Sequence, residues 1–404
     1  MDSVKQQLQW THLIQAAPAE VYAALTQTNG WQRWCCDLAQ IDPHAGGRLY
    51  VCAESYCACG EFTALEENRR LAFTWRGLDE PATAVEITLE AAPSGTQMMM
   101  TVTPNDPAAA AWAEKSPDLE KAWQKALENL YSLLETGYEA RQRPLLGVQG
   151  GQDLNEELVA KLGVPVQQGF LIFDPIPGMG AHAAGMEKND VIVAIDGQAI
   201  SGVATLGPVM VKYQPGDVVE VTFYRGADQK TAAMTLSERP RPEVPATVQA
   251  MAEKLQEIYA QQAQTFAQVF EGVPESQLTW TPNDIKWSAK HVVAHLLTSE
   301  RAMHEWLARQ LAGLDTDNWA SHDEIWVRAT ADSYPDTATL LAAFQQANAE
   351  TVQFVLRLPA EFVARKMIYV QMAGLMIDGM RGHTDVHLDQ IRAVLAEAKA
   401  AETP

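Results

Sequence analysis

The sequence predicts a multidomain chain with three parts in order: an α+β helix-grip unit, a mainly-β unit and an all-α four-helix bundle. Three observations carry that prediction. The chain has 404 residues, and domains run to roughly 150 residues each. Proline- and charge-rich breaks fall at Glu139-Ala140-Arg141-Gln142-Arg143-Pro144 and at Glu238–Pro245, and proline stops both helix and central strand. The apolar periodicity also changes along the chain, from alternation typical of strands to the 3.6-residue spacing of helices.

Residues 1–140 open with alternating, strand-like sequence and a short helix over about 18–29. Strand patterns follow at 47–56, 60–66, 70–76, 83–91 and 96–103. An amphipathic stretch from Asp118 to Tyr138 then carries Leu119, Trp123, Leu127, Leu130, Leu134 and Tyr138 on one helical face. Several antiparallel strands plus one long terminal helix predict a sheet that wraps that helix. Residues 144–238 contain short strands bounded by Gly and Pro, at Gly169–Asp174, Asp190–Ile195 and Val218–Arg225. Residues 244–398 show helical periodicity at 247–271, 286–311, 337–357 and 371–397, which predicts an antiparallel bundle.

Composition excludes some functions. Asp and Glu number 51 against 30 Lys and Arg, a formal charge of −21, with no basic block anywhere. Such a surface repels phosphate backbones and anionic lipid, so neither nucleic acid nor membrane is expected as a partner. No apolar run reaches the ~18 residues that span a bilayer, and Met1–Gln7 has no apolar signal-like core. A cytoplasmic protein is therefore expected. All five cysteines (Cys35, Cys36, Cys52, Cys57, Cys59) lie in the first sixty residues. An odd, clustered set without an export signal reads as reduced core thiols. A thiolate metal site or redox pair at Cys57 and Cys59 is the alternative.

The helical segment holds the sharpest chemistry. His291 and His295 are four residues apart, as are His383 and His387, and i,i+4 residues share a helix face. Imidazoles from facing helices can hold zinc or a similar ion with a position left open. Surface or core histidines that happen to repeat are the rival reading. Trp287-Ser288, His295-Leu296 and His383-x-x-x-His387-x-x-Gln390-Ile391 resemble the DinB-like superfamily of four-helix bundles. That resemblance implies a divalent metal, zinc or nickel, on His295, His383 and His387. It also implies a metal-dependent hydrolase or a transferase of low-molecular-weight thiols. His291 is then a neighbour of the ligands, His304 and His322 are solvated, and Asp385 faces away from them.

In the middle segment the order Pro144-Leu145-Leu146-Gly147-Val148, Gly169–Asp174, Ala183–Ile192, Ile195-Asp196-Gly197, Pro215-Gly216-Asp217 and Tyr224-Arg225-Gly226 resembles a bacterial PDZ domain. The resemblance implies capture of the C-terminal peptide of a protein partner. The carboxylate would sit on the loop Leu145, Leu146, Gly147 and Val148, and the peptide would pair with an edge strand at Gly169, Phe170, Leu171 and Ile172. Gly207-Pro208 is expected to shorten the helix that walls the groove, so a structural spacer is the alternative. No Gly-x-Ser-Gly-Gly segment is present, so proteolysis is not expected.

The first segment, through Ala17–Thr26, Trp34, Asp42-Pro43-x-x-Gly46-Gly47-Arg48, Gly60-Glu61-Phe62 and Arg70–Trp75, resembles a START-like (SRPBCC) domain. Its nearest subgroup is the one named for activators of the heat-shock-protein-90 ATPase. That fold implies a small hydrophobic ligand in a cavity between sheet and helix, or a collapsed core instead. For the whole chain, the alternative to an enzyme is a non-catalytic ligand- or peptide-binding adaptor or stress-response protein.

Overall fold

The computed structural model describes residues 6–53, 56–78, 80–106, 110–140, 144–241, 243–283, 286–315 and 324–402. It divides into two compact units, one of residues 140–241 and one joining 1–139 to 242–404. The three segments of the sequence thus make two bodies.

In the first segment β1 (Leu8–Ile14) leads to α1 (Pro18–Thr26) and α2 (Thr28–Trp34). Then come β2 (Leu38–Ile41), β3 (Arg48–Ala53), β4 (Tyr56–Glu66), β5 (Arg70–Gly77), β6 (Thr83–Ala92), β7 (Gly95–Pro104) and α3 (Ala110–Thr136). The sheet runs β1-β7-β6-β5-β4-β3-β2, each pair antiparallel. Alternation puts Val85, Ile87 and Leu89 of β6 and Met98, Met100 and Val102 of β7 into the core. Rings of Trp31, Trp34, Phe62, Phe73, Trp75 and Trp123 pack there with centroids 4.7–6.3 Å apart. The long helix begins eight residues before Asp118 and runs through Pro117. A buried Trp112 in the added turns supplies apolar contact that offsets the lost backbone bond.

The middle unit contains β8 (Gly151–Asp153), α4 (Glu156–Leu162), β9 (Phe170–Ile172), α5 (Gly180–Ala183) and β10 (Val191–Ile195). β11 (Gln198–Ala199), α6 (Val203–Met210), β12 (Val218–Arg225) and β13 (Asp228–Thr235) complete it. Strand order is β13-β12-β10-β9-β8, with β11 on β10. This corrects the expected peptide edge. Gly169–Ile172 cannot offer an open edge, because β9 is hydrogen-bonded on one side to β8 and on the other to β10. The edge strands of this sheet are β8, beside β9, and β13 at the far end. The wall helix α6 forms over eight residues despite Pro208. The Asp153 carboxylate accepts the Val203 N–H at 2.6 Å, which anchors the start of α6 beside β8.

The last segment comprises α7 (Val248–Phe270), α8 (Glu275–Leu278), α9 (Ala289–Leu311), α10 (Glu324–Asp332), α11 (Thr337–Leu356), α12 (Ala360–Ala364) and α13 (Lys366–Gly374). A π-helical turn, Leu375–Gly379, follows directly and passes into α14 (Met380–Ala401). The helix expected over 371–397 is therefore longer, and it is interrupted by one wide turn. Met367, Ile368, Tyr369, Met372 and Met376 belong to the same buried apolar cluster as Trp31, Trp34 and Trp112. Polar contacts reinforce the join. Asp315 accepts the N–H groups of Thr28 and Asn29 at 2.6 and 3.2 Å, which satisfies free donors at the start of α2. Among the described residues, no helix is long and apolar enough to cross a membrane.

Candidate metal centre

The α9 helix opens at Ser288, whose Oγ accepts the His291 N–H at 3.3 Å. In return the Ser288 N–H lies 3.2 Å from His291 Nδ1, and its Oγ is 2.8 Å from the same nitrogen. This is a capping box with histidine in the place of the usual Glu or Gln. Burial lowers the His291 pKa, helped by the charge of Arg328, in keeping with Nδ1 as the acceptor of the Ser288 N–H. His291 thus has a structural post at the helix start. One turn further, His295 is buried at 3% exposure, with its ring 5.1 Å from that of Trp287.

His295 meets both histidines of α14. Its Nε2 lies 2.9 Å from His383 Nε2, and His387 Nε2 lies 3.1 Å from the same atom. The ligand atoms of all three residues fall within 4.8 Å of one another. Neutral imidazoles carry one ring proton each; with that proton on Nδ1, the three Nε2 lone pairs turn on one spot, where a cation would relieve their repulsion. Around a tetrahedral ion with bonds of ~2.0–2.1 Å, ligand atoms sit roughly 3.3 Å apart. The cluster therefore fits a divalent ion. His387 Nδ1 is 2.7 Å from Gln390 Oε1, an acceptor that holds the ring proton on Nδ1 and frees Nε2 as a ligand.

Around the cluster, the Trp287 Nε1–H donates to Glu324 Oε2 at 2.8 Å, and Arg328 Nε donates to Glu324 Oε1 at 2.6 Å. These two bonds lower the Glu324 pKa. Neither Glu324 nor the role of Gln390 was singled out from the sequence. Gln390 could have been, because it lies one helical turn after His387; Glu324 comes from a helix the periodicity did not reveal. Asp385 lines a groove on the α7 side with Arg381, Gln261 and Gln262. The expectation for His304 is corrected. It is half-buried, with Nε2 2.7 Å from Thr351 Oγ1, and Thr351 in turn hydrogen-bonds the buried Glu300. His322 lies outside the described residues.

In the middle unit, Leu145 pairs with Ser237, and Gly147 adopts φ +83°. A Cβ on Gly147 would stand 2.4 Å from Met179 Cβ, so the tight loop demands glycine. Carbonyls of Leu146 and Gly147 accept the N–H groups of Ala181 and Ile176. The N–H groups of Leu146, Gly147 and Val148 make no backbone hydrogen bond among the described residues.

The reduced-thiol expectation is also corrected. Cys52 and Cys57 are joined in a disulfide, because the β3–β4 register sets them directly opposite each other. Cys36 and Cys59 are free thiols.

Three family models match, one per segment. Residues 15–135 match the activator of Hsp90 ATPase homolog 1-like protein family, 144–236 the PDZ domain, and 257–391 the DinB superfamily. The Aha1-like, PDZ-like and DinB-like order and the multidomain fold class are thereby shown. Among solved structures, the Aha1 dimer from Colwellia psychrerythraea is 19% identical, covering 32% of this chain and 96% of that one, with a TM-score of 0.29. An HSP90 activator from Plasmodium falciparum is 18% identical, with coverages of 32% and 96% and a TM-score of 0.28.

Among curated proteins, a probable periplasmic serine protease do/HhoA-like from Haemophilus influenzae is 32% identical over 95 residues, 24% of this chain and 20% of that protein. The periplasmic pH-dependent serine endoprotease DegQ of Escherichia coli is 25% identical over 95 residues, with coverages of 24% and 21%. The chain spans about a fifth of the length of these relatives. They overturn the cytoplasmic expectation, since the matches to the PDZ-like region are described as periplasmic.

Proposed function

We propose that the DinB-like bundle holds a divalent metal, zinc or nickel, on His295, His383 and His387, and that this centre serves a hydrolase or a transferase of low-molecular-weight thiols. The observation that supports this most is the convergence of three Nε2 atoms, with contacts of 2.9 and 3.1 Å. Imidazole donors suit zinc and nickel. Three protein ligands leave a position for substrate, where the ion would supply Lewis acidity to a water or a thiol. The chain's own part is to orient. Gln390 fixes the tautomer of His387, the Trp287 ring covers His295, and Glu324 with Arg328 holds that indole in place. Elemental analysis of the purified chain, after growth with zinc, nickel and manganese supplied, tests the reading. About one ion per chain is expected, and metal-free protein overturns it.

The PDZ-like unit favours a second role, the capture of a peptide C-terminus. N–H groups at Leu146–Val148 that make no backbone hydrogen bond among the described residues, beside the edge strand β8, suit a carboxylate followed by an added strand. Amidating a bound peptide should cost about 1–3 kcal/mol, measured as the affinity ratio of free and amidated forms. Equal affinities would remove carboxylate capture.

A further inference from the structure

The helix that carries two of the three histidines begins where the two segments meet. Its first part, α13, packs on α3, and Met367, Ile368, Tyr369 and Met372 are buried in one cluster with Trp31 and Trp34 of the Aha1-like segment and with Leu255, Met303 and Val355 of the bundle. Two polar or close contacts pin it there. Arg33 of α2 donates through Nη1 to the Met367 carbonyl and to Gln371 Oε1, both at 2.8 Å. Gly137, at the end of α3 with φ +82°, lets the chain approach so closely that a Cβ would lie 2.3 Å from Val370 Cγ2 and 2.6 Å from the Lys366 carbonyl. On the α3 side, Asn129 Nδ2 donates to the Trp34 carbonyl at 2.9 Å, which ties α2 to α3 and so fixes Arg33 itself.

From α13 the helix continues through the π turn Leu375–Gly379 into α14 without a break. A π turn holds one residue more than an α turn, and each α residue advances the helix by about 100°. The turn therefore sets the angle between the face gripped by the Aha1-like core and the face that presents His383 and His387.

We propose that the Aha1-like segment positions the metal centre: Arg33, acting through α13 and the π turn, holds His383 and His387 in the azimuth that lets them meet His295. Arg33 is a positioning residue, since its contacts are to Met367 and Gln371 and not to the imidazoles. A rigid, continuous helix is the physical link between the two sites, and its two ends share one rotational state.

This inference builds on the metal reading but has a readout independent of it. Amide hydrogen exchange over 375–388 is followed in the metal-free full chain for wild type, Arg33→Met, Gln371→Met, Arg33→Lys and the control Val386→Ala, whose side chain is exposed. Faster exchange in the two methionine variants, partial rescue by lysine and no change in the control are expected. Zinc affinity, read by competition with a chelator, should fall about tenfold in the same two variants, a change of about 1.4 kcal/mol. Unchanged exchange in both methionine variants overturns the positioning role, whatever the metal result. Faster exchange combined with a wild type that binds no zinc keeps the positioning role and removes the metal reading. Zinc affinity unchanged in both variants, with wild type loaded, overturns the proposal as well. If Arg33→Met does not fold, Gln371→Met decides.

Discussion

The bundle contains two histidine pairs with the same spacing and different fates. In α14, His383 and His387 both turn to one point, whereas in α9 only His295 reaches it and His291 closes the helix start against Ser288. The i,i+4 spacing puts each pair on one face, but a face is wide enough to serve two purposes. What separates them is position along the helix. His291 is the third residue of α9, where unpaired backbone N–H donors compete for its ring; His383 and His387 lie in α14, which continues the helix begun at α13. Spacing proposes a pair, and the ends of the helix claim one member of it.

The largest effect that would break this contrast is loss of the ion. His383→Ala is expected to abolish metal retention while His291→Ala keeps it, as measured by metal content after gel filtration. Retention in His383→Ala would dissolve the distinction between the pairs. The same ion should be released on acidification below about pH 6, as the imidazole ligands take up protons. A smaller effect concerns the orienting amide. Gln390→Leu removes the acceptor on His387 Nδ1, and loss of such a partner typically weakens affinity ten- to a hundred-fold. Competition with a chelator reads it, and an unchanged affinity would show that His387 needs no such support.

The smallest effect sharpens the other side of the comparison. His291→Ala should cost about 1 kcal/mol of stability, the usual worth of a cap, without changing zinc affinity. Its pH dependence has a definite sign. Burial lowers the His291 pKa in the folded chain, so the unfolded chain binds the proton first, at about pH 6.5. The cap's contribution is therefore present above that pH and is lost as the pH falls. Urea midpoints of wild type and His291→Ala should differ at pH 7.5 and converge towards pH 5. A gap that widens on acidification would mean that His291 acts as a cation, not as an acceptor.

The sequence by itself determined a great deal. Helical and alternating periodicities located the long helices and most strands, because a side chain's face follows from local geometry. The motifs that resemble three families were complete in the chain, and the three imidazoles brought together in space are those the resemblance named. What only tertiary structure decided were matters of pairing. Alternation cannot say which neighbour a strand takes, so β8 and not β9 proved to be the edge strand at that end of the sheet. Nor could it reveal that Cys52 and Cys57 face each other across a hairpin, which a one-residue shift in register would separate. The helix through Pro117 and the π turn before His383 run against local preference and exist because buried neighbours outweigh it. Two segments that read as separate domains share one core for the same reason. Apolar surface on α13 is removed from water by whichever element packs against it, and no local pattern records that the element is α3, a helix more than two hundred residues earlier in the chain.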